Sequence, residues 1–221
     1  MNNQLRGKIV AYGLGAGAAA LATAARADVH YSGPLDFSGD VIYFDVLNST
    51  PPSNDSQAVD NFRFDSSNYG QKPAAYGVTG SNATGSVAFN KVGEFKYTPE
   101  FHTGDTIGAQ LTFGSNGDLN NFASDTPAGQ WQVGDRGFLG LQIVVNGQTE
   151  YGWADVSLNN GGTPPSRHSN PDDPTGQFTL YGYAYDDSGL PIAAGAIPEP
   201  SSLALLAVGA AGVAALRRRR K

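Results

Sequence analysis

The chain has 221 residues, a formal net charge of −6 and no cysteine, which excludes disulfides, thiolate catalysis, Cys-ligated zinc and cysteine-bound iron–sulfur clusters. Eight of its 14 cations (Arg6, Lys8, Arg26, Arg217, Arg218, Arg219, Arg220 and Lys221) lie at the two ends. The other six face 19 of the 20 acids in the 170 residues 28–197, so this body is near −13 and disfavours nucleic acid and anionic lipid headgroups.

Residues 1–27 have the three parts of a signal peptide. Arg6 and Lys8 form a basic start, residues 9–24 are uncharged, and Ala25-Arg26-Ala27 supplies the small residues of an A-x-A exit. Cleavage is expected after Ala27, with Asp28 as the new N-terminus.

From residue 28 to residue 190, short runs rich in Val, Ile, Tyr, Phe and Thr alternate with clusters of Gly, Asn, Asp, Ser and Pro. Helical periodicity is absent. The pattern predicts an all-β domain, an antiparallel β-sandwich of jelly-roll-like or similar form. Strands are expected at 29–32, 41–47, 61–65, 86–89, 107–113, 138–145, 150–158 and 178–185. Ile107, Ala109, Leu111 and Phe113 alternate with polar or small residues, which predicts one buried face. Residues 48–60 and 159–176 read as long loops, the first around Pro51-Pro52.

The clearest local element is a hairpin. Residues 139–145 lead into Asn146-Gly147, and residues 148–156 lead out. Asn-Gly accepts positive φ at both central positions, so a type I′ turn is expected. In the following strand, Tyr181, Tyr183 and Tyr185 are expected to share one face.

Residues 191–200 read as a linker ending in Pro198-Glu199-Pro200. Residues 201–216 form a short, uncharged segment, and Arg217, Arg218, Arg219, Arg220 and Lys221 follow as a cytoplasmic basic cluster. The segment is expected to be a transmembrane helix, because a helix satisfies its own backbone in lipid and terminal cations stop transfer. Sixteen residues at ~1.5 Å each span roughly 24 Å, against about 30 Å of hydrocarbon, which suits a transient anchor better than a permanent one.

This order of parts resembles the PEP-CTERM sorting region of exported Gram-negative bacterial proteins. The resemblance implies that Pro198, Glu199 and Pro200 form the sorting motif for an exosortase-type membrane protease. It further implies transient inner-membrane anchoring, then release to the cell surface or medium. The blocks 137–141, 146–149, 151–154 and 181–185 also look like the body of one abundant group of such proteins. The association with an exopolysaccharide-rich matrix is likewise an implication of the resemblance.

Candidate chemistry in the body is sparse. Tyr151 and Trp153 share a strand face and are candidate glycan contacts, because flat rings stack on sugars; Trp131 is a further candidate. The same rings suit an ordinary β core. Oxygen-rich stretches at 115–121 and 170–173 could suit calcium, yet neither has the EF-hand pattern. His30, His102 and His168 are too far apart in sequence for a metal-ligand spacing, and no G-x-S-x-G elbow occurs. No catalytic residue, metal or cofactor is assigned. The expectation is a non-enzymatic structural or adhesive protein, with a carbohydrate-binding or calcium-binding module as the alternative and a glycan hydrolase after that.

Overall fold

The computed structural model describes residues 28–48, 50–66, 73–119, 131–160 and 176–198. The expected signal peptide, the membrane segment, the basic cluster, Glu199, Pro200 and the 170–173 stretch lie outside these residues. Among the described residues there is no helix, and none therefore long and apolar enough to cross a membrane.

In chain order the strands are β1 (Val29–Tyr31), β2 (Phe37–Gly39), β3 (Val41–Asp45), β4 (Thr50–Ser53), β5 (Phe62–Asp65), β6 (Ala74–Gly77) and β7 (Thr84–Ala88). They continue with β8 (Asn90–Val92), β9 (Phe95–Tyr97), β10 (Thr106–Ile107), β11 (Phe113–Gly114) and β12 (Asn116–Asp118). The last are β13 (Arg136–Val145), β14 (Gln148–Asn160), β15 (Gly176–Asp186) and β16 (Ile192–Ala193).

Two seven-stranded sheets result. One has the order β1-β15-β14-β13-β7-β11, with β2 also on β15; the other runs β4-β3-β5-β6-β12-β9-β8. Pairing is antiparallel apart from β12 on β9. Period-two alternation aims every second side chain between the sheets. From one side come Ile42, Phe44, Phe62 and Phe64; from the other come Leu139, Leu141, Ile143, Val156, Leu158 and Phe178. Rings meet across the gap, with Phe44 and Tyr183 centroids 5.2 Å apart and Phe64 and Phe178 5.4 Å apart. This arrangement is consistent with a β-sandwich.

The β13–β14 hairpin is the spine. Ten residue pairs run from Arg136↔Ser157 to Val145↔Gln148. Asn146 and Gly147 have φ of 51° and 80°, so the turn is type I′, whose twist suits the flanking strands.

Three expectations need correction. Residues 107–113 are not one strand: β10 ends at Ile107, and the Leu111 amide bonds back to the Gly108 carbonyl at 3.0 Å. Alternating apolar residues there serve a turn that lies against a sheet. The expected loop 48–60 contains β4, and Pro51 and Pro52 fit because β4 is an edge strand. The three tyrosines of β15 do not share a face. The register slips so that Asp155 pairs with Gly182 and Val156 with Leu180, leaving Tyr181 as the extra residue. Tyr183 and Tyr185 join the core between the sheets, whereas Tyr181 lies against Arg136, whose guanidinium carbon is 3.7 Å from the ring centroid.

Candidate functional site: the docked C-terminal segment

β14 splits its side chains between two cores. Ala154, Val156 and Leu158 face the second sheet. Tyr151 and Trp153 point the other way, into a smaller cluster with Ala88, Phe101, Ile107, Ala184, Ile192 and Ala194. That outer face of the sheet would be wet in a bare sandwich. Here residues 101–113 and the C-terminal segment cover it.

Residues 191–200 were expected as linker, and the domain as ending at residue 190. The structure instead packs the first part of that linker onto the body. β16 pairs with β10, Thr106↔Ala193 and Ile107↔Ile192. The Ala194 amide donates to the Asp105 carbonyl at 2.8 Å, and the Gly104 amide donates to the Ala194 carbonyl at 2.9 Å. Ile192 and Ala194 are 3% and 1% exposed, so the alternation of a strand continues almost to the sorting motif. Gly195 has a φ of +77°, and a Cβ there would sit 3.0 Å from the Phe138 ring. Glycine thus permits both the turn and the close approach.

Trp153 closes the site. Its indole Nε1 donates to the Ala196 carbonyl at 3.1 Å, which satisfies the one polar atom of a buried ring. Phe138 packs edge-on against the indole at 5.3 Å and Tyr31 at 5.8 Å. One residue later Ile197 is 57% exposed, and Pro198 is exposed as well. Contact with the body therefore ends at Ala196, two residues before Pro198.

The same geometry corrects the candidate glycan contacts. Tyr151 and Trp153 are 6% and 3% exposed, and Trp131 is 0% exposed in the core between the sheets. None presents a free ring face to a sugar. The candidate calcium stretch at 115–121 is also reassigned in part, since Asn116–Asp118 is β12, held between β6 and β9, and Leu119 is fully buried. Among the described residues no three His, Asp or Glu side chains converge as a metal set.

Sequence reasoning missed a second polar locus, at the edge where β1 meets β15. His30 Nε2 is 2.9 Å from Asp187 Oδ2, and the His30 ring stacks on Tyr185 at 4.7 Å. The Asp28 backbone nitrogen donates to Asp187 Oδ1 at 3.2 Å. The His30 hydrogen bond is the main cause holding the Asp187 carboxyl below the usual carboxylate range. Glu150 lies nearby at 8% exposure, and its Oε2 has no hydrogen-bond partner among the described residues. Burial, then the Asp187 charge, pushes the Glu150 carboxyl up. A shallow pocket beside this locus is lined by His30, Tyr31, Ser32, Leu47, Tyr183 and Tyr185. Nothing in the spacing of residues 28, 30, 150 and 187 announces this meeting; the β1–β15 and β14–β15 pairings create it.

Comparison with curated proteins and with solved structures gives no match. A family model does match, over residues 196–220, beginning at the residue whose carbonyl accepts the Trp153 hydrogen bond. The chain carries a PEP-CTERM protein-sorting motif, which supports a secreted or surface protein sorted by exosortase.

Proposed function

We propose that this chain is a non-enzymatic structural or adhesive protein of an exopolysaccharide-rich surface matrix. It is made with a cleaved signal peptide, held transiently at the inner membrane by residues 201–221, and released after processing at the motif. The match at residues 196–220 carries the sorting part of this reading. The matrix role is supported by the body, which is acidic and disulfide-free and has no recognisable catalytic motif in its sequence. An acidic surface favours solubility and cation-bridged contact with other anionic polymers.

Replacing Pro198-Glu199-Pro200 with three alanines tests the sorting step. Cell fractionation should show the altered chain accumulating in the membrane fraction while the native chain reaches the surface. Equal surface delivery of both would overturn it. Loss of cohesion in a surface matrix grown without this chain, restored by the native gene, tests the role.

A further inference from the structure

We propose that the exposed rim where the chain leaves the body, formed by Ile197, His102, Thr103 and Asp105, is a contact surface for the membrane protease that processes this chain, and that the docked segment behind it, held by Trp153, sets how much chain the protease can reach. The inference rests on the sorting reading above and concerns the geometry of that step.

Ala196 is the last docked residue, fixed through its carbonyl to Trp153 and through its amide to the Ala193 carbonyl at 3.0 Å. The apolar run begins at Leu203. Six residues, 197–202, lie between the body and the membrane segment. Fully extended they reach roughly 20–22 Å. The 170-residue body has an expected radius of gyration of about 15 Å, so its width exceeds that tether. The tether holds the body within that distance of the membrane surface, so a protease that projects from the membrane to reach the tether meets the body. The surface it meets is the rim of the exit: exposed Ile197, with His102, Thr103 and Asp105 on the loop whose Gly104 amide binds the Ala194 carbonyl.

The docking also decides where cleavage falls. Ile192 and Ala193 are held by strand pairing, Ile192 and Ala194 by burial, and Ala194 and Ala196 by backbone hydrogen bonds, so this stretch is closed to a cleft that binds extended chain. The scissile bond lies after Ala196. Water adds a hydroxyl to the carbonyl carbon on the body side, and a proton goes to the amine of the departing tail. Trp153 acts here as a positioning residue, holding Ala196 without touching the reacting bond.

The test uses the full chain in a host that processes it. Gly-Ser-Gly-Ser is inserted either between Ala196 and Ile197, which lengthens the reachable tether, or between Ser188 and Gly189, which adds the same residues ahead of the docked segment. Pulse-chase should show several-fold faster processing for the first insertion and the native rate for the second. Trp153→Phe, which keeps a ring but removes the indole N–H, should move the rate in the same direction as the first insertion. Hydrogen exchange at the Ala194 and Ala196 amides should rise in that variant while the β13–β14 amides stay protected. The native C-terminus should fall after Ala196. Equal rates for native chain and both insertions, or a C-terminus before Ala196, would overturn the inference alone. A native chain that is never processed would overturn the sorting reading and this inference with it.

Discussion

The indole of Trp153 hydrogen-bonds the carbonyl of Ala196 at 3.1 Å, joining the middle of β14 to the first residue of the segment that matches the sorting family, two residues before Pro198. This contact makes the approach to the motif part of the folded body. It also explains why an aromatic suited to sugar stacking is spent on structure: the ring is 3% exposed, and its only polar atom is satisfied by the chain's own backbone. Removal of the ring by Trp153→Ala should cost about 3–5 kcal/mol, as for other buried aromatics, and should lower the melting temperature of the body sharply. A variant with unchanged melting would show that the C-terminal segment does not cover this face.

Gly147→Val should destabilise the β13–β14 hairpin. Gly147 has φ +80°, and although no heavy atom lies within 4 Å of a Cβ built there, the backbone conformation itself costs an ordinary residue roughly 1–2 kcal/mol. The β-branched side chain adds to that. Because β13 and β14 carry Leu139, Leu141, Ile143, Val156 and Leu158, the loss should appear as global unfolding at a lower temperature. Asn146→Gly, which relaxes φ at the neighbouring position, should be nearly neutral. Circular dichroism melts of the three proteins check this.

Much of the sandwich is legible in the sequence because alternation and turn chemistry are local. The Asn146-Gly147 hairpin and the strands around Phe62, Phe64 and Phe178 follow from period-two patterning alone. Three features do not. Tyr181 sits in a bulge that reverses the facing of Tyr183 and Tyr185, and a one-residue slip leaves no mark in composition. Trp153 reads as exposed only if its sheet face is assumed bare, whereas residues 101–113 and 191–196 bury it. Ala193, Ala194 and Gly195 read as linker because small residues are common in linkers; here Ala194 is buried and Gly195 lies tightly against Phe138. The one available cue was Trp153 itself, since a buried indole needs an acceptor.

Glu150→Gln should raise stability at neutral pH. The folded environment pushes the Glu150 carboxyl up, so between its ordinary value and its folded value the native state binds more protons than the unfolded state. Stability from this group is present at low pH and falls as pH rises through that window. The neutral amide escapes the loss. The gain should be about 1 kcal/mol, or roughly 2–4 °C, at pH 7, should shrink as pH falls through the folded value, and should be gone below the ordinary carboxyl value of 4.5. A variant less stable than the native protein at pH 7 would show that the carboxylate has a partner worth more than its burial.

Asp187 gives the opposite pH dependence. Its folded value is depressed, so its contribution is present above about pH 3.9 and is lost as pH falls through the folded value. Cleavage after Ala27 would convert the Asp28 amide, 3.2 Å from Asp187 Oδ1, into an ammonium. A protein starting with a free Asp28 amine should be more stable than its N-acetylated form by about 0.2–1 kcal/mol, as expected for an exposed pair. Asp187→Asn should erase the difference. Equal melting of the free and acetylated forms of the native sequence would show that the new terminus is not held there.

The cations at the chain terminus are expected to hold it on the cytoplasmic side. Replacing Arg217, Arg218, Arg219, Arg220 and Lys221 with neutral residues removes a stop-transfer cluster and should release uncleaved chain from the membrane fraction. Unchanged retention and processing would assign retention to the apolar segment alone.

Intact-mass measurement of the native protein recovered from the cell surface or medium tests the central claim most directly. The account predicts one species that begins at Asp28, retains Ala196 and lacks the tail from Leu203 to Lys221. A surface species still carrying Leu203–Lys221 would contradict it.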